Sequence, residues 1–346
     1  MRITFPVLTL CHGGAQRMLA EVANGLVTRG HQVTILMPQN GVIEYPLKAK
    51  VVRTNDQYSI KPSDYPVGDM IVSNFYTTVP AAQEASSNGK GKHVRLSLCY
   101  EPTFLPDNHI TFPSYHITPH LIVLSKSQQQ LIFYNHGISG HIVPVGISSE
   151  FRNLGIRKEG APLQISAIVR MPEGGYSWHR EQQYLLNQLN FVKNQFPHVQ
   201  INLFSPPTEM ANSLFLQKLR DSKQYRHLTP ADDKEMNYHY NETDIFVNSS
   251  TYDSASLPGL EAMKCGAALV TTYAGGNADY ARHEENCLMS YRYQNRLAQD
   301  VIRLIKDAQL RKRLASAGEK EAAKWTWQKS VQMFENVLMK IKKEEE

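Results

Sequence analysis

Near its start the chain changes hydrophobic period twice. Residues 3–10 form a β-rich apolar run, Gly13-Gly14 interrupts it, and Met18, Leu19, Val22, Ala23 and Leu26 then recur at helical spacing. Gly30 closes that helix and Gln32-Val33-Thr34-Ile35-Leu36 resumes a strand. Strand, helix and strand in this order imply a parallel pair with a right-handed crossover, because only that hand packs the helix back onto the sheet. Apolar runs at 69–72, 94–98, 121–124 and 141–145 predict further strands. Ser125-Lys126-Ser127 opens a helix through Tyr134, with serine as its N-cap.

The alternation restarts after residues 146–162, a stretch of little periodicity that reads as a linker. Strands are expected at 163–169, 199–204 and 244–248, helices at 182–194 and 233–240, and a helix followed by a strand over 260–272. Residues 296–343 are mostly helical in pattern, and 342–346 read as a frayed tail. A chain of 346 residues exceeds what one core of roughly 250–300 residues sustains. The fold class expected is therefore α/β in two domains, each with its own parallel sheet. Ligands of such open sheets bind in crevices at the carboxyl ends of the strands, and a cleft between the two domains is the expected site.

Composition narrows the partners. No apolar run approaches the roughly 18 residues that cross a bilayer, and residues 1–10 read as a first strand rather than a leader because Cys11-His12-Gly13-Gly14 stands where a small-residue cleavage site belongs. Four cysteines, at 11, 99, 265 and 287, have neither metal spacing nor the density of a disulfide framework, so free thiols in a reducing cytoplasm are expected. A net charge of +5 suits a solvated surface, a pocket for a diphosphate, or peripheral contact with the inner face of a membrane. No basic segment interleaved with aromatics points to nucleic acid.

The densest chemistry lies between Ser249 and Asp279. Pro258 suits the first helical position and Gly266 the position just past the end, so a short helix is predicted between them. Small residues before it, Ala255 and Ser256 with Leu257, let a ligand approach the backbone, and free N–H groups at the helix start suit a phosphate. Glu261 is expected in the first turn, where a carboxylate accepts hydrogen bonds from a ribose diol or, in the plainer alternative, stabilises the helix dipole. Asp253, eight positions earlier, is placed in the loop to accept from sugar hydroxyls.

This stretch resembles the Glu-x7-Glu motif of family 4 retaining glycosyltransferases, which have the GT-B fold. Leu257-Pro258-Gly259-Leu260-Glu261-Ala262-Met263-Lys264-Cys265-Gly266 follows that family's Leu-Pro-x-x-Glu-Ala-Met-x-x-Gly, and Gly275-Gly276-Asn277-Ala278-Asp279 stands where its Gly-Gly-x-x-Glu does. Gly13-Gly14-Ala15-Gln16-Arg17, Arg29-Gly30-His31-Gln32-Val33, Val143-Pro144-Val145-Gly146-Ile147, Asn241-Glu242-Thr243-Asp244-Ile245 and Lys324-Trp325-Thr326-Trp327 fall in the family's order, so the resemblance spans nearly the whole chain.

The resemblance implies two Rossmann-like domains: 1–150 for the acceptor, 151–325 for the nucleotide-sugar donor, and a terminal helix in 326–346 packed back on the first. It implies that Glu261 binds the donor ribose, Asp253 the transferred sugar, and the backbone of Ala255, Ser256 and Leu257 the sugar and diphosphate. Arg170 matches the arginine that neutralises the leaving diphosphate; read alone, it is as well a surface ion pair. Gly13 and Gly14 bring backbone N–H groups to the donor phosphate or the acceptor, or form a plain strand-to-helix turn.

Three departures stand out. The first acid of the motif is Asp253 rather than glutamate. The lysine that normally follows the arginine is missing, and Arg180 is the nearest cation, hence the candidate substitute at the donor. Ser73-Asn74-Phe75-Tyr76 occupies the place of a first-domain histidine, leaving Asn74 as an acceptor candidate. Tyr100-Glu101-Pro102 resembles a segment of bacterial polysaccharide rhamnosyltransferases, which makes Glu101 an acceptor contact or, equally, a turn residue. Trp325 and Trp327 are read as packing the final helix; His12 and His120 as structural or surface residues.

A nucleotide-sugar donor and a saccharide, lipid-linked or protein acceptor in bacterial cell-surface polysaccharide or glycoconjugate synthesis follow as expectations, with retention at the anomeric carbon. No cofactor and no dedicated metal are expected, since no Asp-x-Asp pair is suitably placed for a Mg²⁺ diphosphate. The departures also motivate a non-catalytic subunit supporting a partner enzyme, and the architecture admits a nucleotide-sugar epimerase.

Overall fold

The computed structural model describes residues 1–158 and 160–344, and the chain divides into one unit of Met1–Gly146 with Thr326–Glu346 and another of Ile147–Trp325. Strands of the first unit are β1 (Arg2–Pro6), β2 (Gln32–Met37), β3 (Lys50–Arg53), β4 (Met70–Ser73), β5 (Lys92–Ser97), β6 (Leu121–Val123) and β7 (His141–Ile142). They form one sheet in the order β3-β2-β1-β4-β5-β6-β7, parallel throughout.

The opening β-α-β unit follows from the two periods. Helix Gly14–Thr28 buries Met18, Leu19, Val22, Ala23 and Leu26 on one face, and Gly30 ends it at φ +87°, a left-handed conformation that favours glycine. Strand β1 stops at Pro6, short of the apolar run that predicted it, and Leu10 makes only an isolated bridge to Ile43. Strand β7 stops at Ile142 because Pro144 has no N–H for the ladder. Ser125 caps helix Lys126–His136 by accepting from the Gln128 amide.

The C-terminal helix Trp327–Lys343 completes this unit. Phe334 stacks on Phe5 at 6.2 Å, and Glu335 takes Arg29 Nε and His31 Nε2 at 2.7 Å each. Gly146 is needed where this helix begins: a Cβ there would lie 2.6 Å from the Trp327 Cα. Of the predicted tail, residues 345 and 346 lie outside the described residues.

In the second unit β8 (Gln164–Ile168), β9 (Gln200–Phe204), β10 (Arg226–Leu228), β11 (Ile245–Asn248), β12 (Ala268–Thr272) and β13 (Leu288–Ser290) pair in parallel in the order β10-β9-β8-β11-β12-β13. Apolar clusters cover both faces, one around Ile165, Leu203, Val247 and Val270, the other around Phe204, Phe246, Leu260 and Leu269. Burying each such side chain contributes about 1.5–3 kcal/mol before conformational entropy is counted.

The predicted linker is pinned to this unit rather than loose. The Arg152 and Leu154 amides donate to Asn237 and Asn241, and the Arg157 guanidinium donates to the carbonyls of Thr243, Tyr240 and Cys265. Glu159 lies outside the described residues. Trp325 packs edge-on against Tyr280 at 5.8 Å in the second unit, whereas Trp327 is buried in the first. Among the described residues no helix is long and apolar enough to cross a membrane.

Candidate active site

Both sheets have the strand order in which the chain reverses direction of travel beside its first strand, and ligands of such sheets bind at that switch point. In the second unit the switch lies between β8 and β11. The segments leaving these two strands carry Arg170, Arg180 and Asp253.

Leaving β8, the Arg170 amide donates to Gln182 Oε1, and its guanidinium closes on Glu209 through Nη2 and, at 2.8 Å, through Nε. The other oxygen of Glu209 accepts the Met171 amide at 2.8 Å. Burial pushes the Glu209 carboxyl up, but the Arg170 bond and charge outweigh it and hold the group below the usual carboxylate range. Gly174 and Gly175 turn the segment with φ of +87° and +79°. A turn Trp178–Arg180 then leads into helix Gln182–Gln195, whose N-cap Glu181 is left-handed.

Arg180 sits half-buried, and its guanidinium makes no hydrogen bond or ion pair among the described residues. Burial, then the like charge of Arg170, pulls it below its ordinary value, while Asp253 and Glu209 oppose that. A guanidinium stays protonated regardless, so this is a partly desolvated cation beside a second cation. His179 next to it is pushed down to about 4, by burial first and by Arg180 second, and is neutral at pH 7.

Leaving β11, the loop folds on its own side chains. Asp253 Oδ1 accepts the amides of Ala255 at 3.2 Å and Ser256 at 2.8 Å. Those two N–H groups, expected to line a sugar and diphosphate, are thus held by Asp253, which acts as a turn cap here. The Asp253 amide donates to Ala274 O, and the Gly276 amide to Asp253 O, each at 2.8 Å. Gly276 permits this approach, since a Cβ there would press on the Ser254 carbonyl and lie 2.6 Å from the Ala255 nitrogen. Ser256 is left-handed at φ +55°, and its carbonyl accepts from Tyr280 OH at 2.8 Å. A non-glycine residue held in this region costs about 1–3 kcal/mol, the kind of strain that collects at binding sites.

Helix Leu257–Lys264 follows, with Leu257 and Pro258 at its start and Gly266 at φ +81° past its end. Glu261 lies in its second turn, not the first as the spacing suggested, which moves it away from the strongest part of the helix dipole. The hydroxyl of fully buried Tyr240 donates to Glu261 Oε2 at 3.3 Å. Among the described residues no group of three His, Cys, Asp or Glu side chains is placed to hold a metal ion.

The remaining candidates belong to the first unit. Asn74, following β4, donates from Nδ2 to Pro6 O at 2.6 Å and so ties β4 to the end of β1. Glu101 is 3% exposed and paired with Arg95, and its other oxygen accepts the Tyr76 amide at 2.8 Å. Its carboxylate braces the inside of the unit instead of facing an acceptor. Burial raises it above the usual range against the opposing Arg95 charge, and the Arg95 guanidinium lies 3.7 Å over the Tyr115 ring. Gly13 exchanges hydrogen bonds with Tyr45 OH, and Gly14 opens helix Gly14–Thr28.

Sequence reasoning missed Glu209 and Tyr240. The signal for Glu209 was Pro206-Pro207 after β9, a helix start two residues before an acid; Tyr240 carried none, since its role comes from contact with Glu261 across 21 positions.

The two parallel sheets define a protein of the GT-B glycosyltransferase fold, and solved structures share it. A sucrose-phosphate synthase from Thermosynechococcus elongatus is 14% identical at TM-score 0.79, with 99% of each chain covered. HepE from Anabaena, in complex with UDP, is 16% identical at TM-score 0.76, with 98% of this chain and 100% of that chain covered. WaaG, a glycosyltransferase involved in lipopolysaccharide biosynthesis, is 13% identical at TM-score 0.74, with 98% and 99% covered. Residues 210–321, which include Asp253 and Glu261, match the model of the family of glycosyl transferases group 1. No curated protein sequence matches.

Proposed function

We propose that this chain is a retaining glycosyltransferase whose second unit binds a nucleoside-diphosphate sugar and which passes the sugar to a glycan, lipid-linked or protein acceptor in bacterial cell-surface synthesis. The observation that carries the reading is Arg180: a half-buried cation with no carboxylate partner among the described residues, next to Arg170, at the switch point of a parallel sheet. Such a pair suits a diphosphate, whose two charges supply what the protein leaves out. HepE binds UDP, which makes a uridine diphosphate sugar the first donor to test.

In this mechanism Arg180 and Arg170 hold the diphosphate and offset the charge that builds on it as the bond to the anomeric carbon breaks. Arg170 must share or leave Glu209 to do so. Glu261, steadied by Tyr240, accepts from the ribose hydroxyls, and Asp253 shapes the loop that meets the sugar. The acceptor hydroxyl bonds to the anomeric carbon on the face the diphosphate leaves, and its proton passes to the departing phosphate oxygen.

Thermal unfolding against UDP, GDP, ADP and dTDP tests this, because a ligand at 100 times its Kd adds about 2.7 kcal/mol to stability. A melting shift with one of them, clearly reduced by Arg180→Ala and Glu261→Ala, is expected. No shift with any would sink the donor site and favour a non-catalytic subunit. That second reading draws on one observation, the closure of Arg170 on Glu209.

A further inference from the structure

We propose that Tyr273, Tyr291 and Tyr293 form a track that binds a saccharide chain, so that the acceptor is recognised by its sugars; the choice of ligand class rests on the glycosyltransferase reading. Strands β12 and β13 pair in parallel with Thr272 opposite Ser290, which brings the next residues, Tyr273 and Tyr291, side by side at the carboxyl edge of the sheet. The Tyr273 amide donates to Ser290 O at 2.9 Å and fixes that register beyond the strands. Ring centroids of Tyr273 and Tyr291 lie 5.4 Å apart, and Tyr291 stacks on Tyr293 at 5.8 Å with 18° between planes.

These rings are not core. Tyr291 is 50% exposed and Tyr293 83%, far more than packing of the unit requires. The residue between them is the anchor: Arg292 lies 3.6 Å over the Tyr184 ring and pairs with Glu181 at 3.2 Å. Gln294 Oε1 accepts the Tyr291 amide at 2.8 Å and tightens the turn. A turn secured by its arginine and glutamine thus presents two stacked phenols to water.

The chemistry of the row selects its occupant. Each ring offers an apolar face and a hydroxyl that donates and accepts, which matches a sugar ring with its C–H face and hydroxyl rim. Tyr273, Tyr291 and Tyr293 are each more than a third exposed, and the polar Arg292, Gln294 and Asn295 flank them in the chain; an acyl chain would call for aliphatic anchors instead. The row also continues the candidate site. The residue after Tyr273, Ala274, accepts the Asp253 amide, and Gly275 bridges to Asp253.

The test uses the full chain on immobilised hexasaccharides of glucose, galactose, rhamnose and N-acetylglucosamine, with nucleoside-diphosphate melting shifts measured in parallel. We expect capture by at least one hexasaccharide. The double variant Tyr291→Ala/Tyr293→Ala should weaken it about tenfold, the worth of one good stacking contact, while Tyr291→Phe/Tyr293→Phe keeps it within about threefold. Neither variant should change the melting temperature or the nucleotide shift. No capture by any hexasaccharide, or capture indifferent to the alanine pair, overturns the track. Failure of the donor reading is seen separately, as absent nucleotide shifts in the unaltered protein with tyrosine-dependent capture intact.

Discussion

Arg170 and Glu209, 39 positions apart, close on one another so that the acid takes the guanidinium on one oxygen and the Met171 amide on the other. The cation aimed at the candidate phosphate site is thereby already neutralised by the protein. An incoming diphosphate competes with Glu209 for the same donors. Glu209→Gln keeps the shape and removes the competing charge, so nucleoside-diphosphate affinity should rise several-fold, about 1 kcal/mol, by calorimetry. Weaker binding in this variant would mean that Glu209 positions Arg170 for the ligand rather than occupying it.

Arg180 presents the opposite case. With no acid paired to it among the described residues, its removal costs the free protein little and the complex much. Arg180→Ala should lower nucleoside-diphosphate affinity by about 10- to 100-fold, the range for charge-assisted hydrogen bonds, while the melting temperature without ligand holds or rises. Arg180→Lys should recover only part of the affinity, because an ammonium lacks the planar fork that grips two phosphate oxygens. A variant that unfolds at lower temperature but binds normally would assign Arg180 a structural role.

Gly276 tests the loop that carries Asp253. A methyl group there meets backbone, which cannot swing aside, so Gly276→Ala should destabilise the second unit by about 1–3 kcal/mol in urea unfolding and blunt nucleotide binding. Gly174→Ala offers the contrast: its Cβ meets only the flexible Tyr176 ring at 3.7 Å, though φ of +87° still disfavours alanine. Equal tolerance of the two would contradict the close approach described here.

His93 gives the first unit a pH dependence. It is buried between Ser73 Oγ and Gln83 Oε1, both at 2.8 Å from its ring nitrogens, and is pushed from 6.5 down to about 3 by burial, then by the charges of Arg95 and His120. The folded protein keeps it neutral while the unfolded chain takes up a proton below pH 6.5. Its contribution is therefore complete above pH 6.5 and lost as pH falls toward 3, by about 2 kcal/mol at pH 5. Unfolding free energy should fall between pH 6.5 and 5, and His93→Gln should flatten that slope. An imidazole resonance of His93 titrating near 6.5 in the folded protein would refute the assignment.

Much of this architecture can be read along the chain because its causes are local. The helix after Gly13 is written in the spacing of Met18, Val22 and Leu26, its end in Gly30, and the short helix after Ser256 in Pro258 and Gly266, since periodicity and turn chemistry act over a few residues. Even there a small displacement mattered: starting the helix at Leu257 puts Glu261 in the second turn. The edge strands β3 and β10, four and three residues long, carry too short a pattern to register.

The amino-acid sequence alone determined two series of parallel strands with helices between them, the segments that carry Arg170, Arg180 and Asp253, and the short helix that carries Glu261. Only the tertiary structure decided which partner each side chain takes: Glu209 for Arg170, none among the described residues for Arg180, the amides of Ala255 and Ser256 for Asp253, Tyr240 for Glu261, and Tyr291 beside Tyr273. Backbone periodicity is fixed by neighbours in the chain. Pairing of polar groups is fixed by which strand ends the sheet order brings together, and by how much water is left around each charge once they meet.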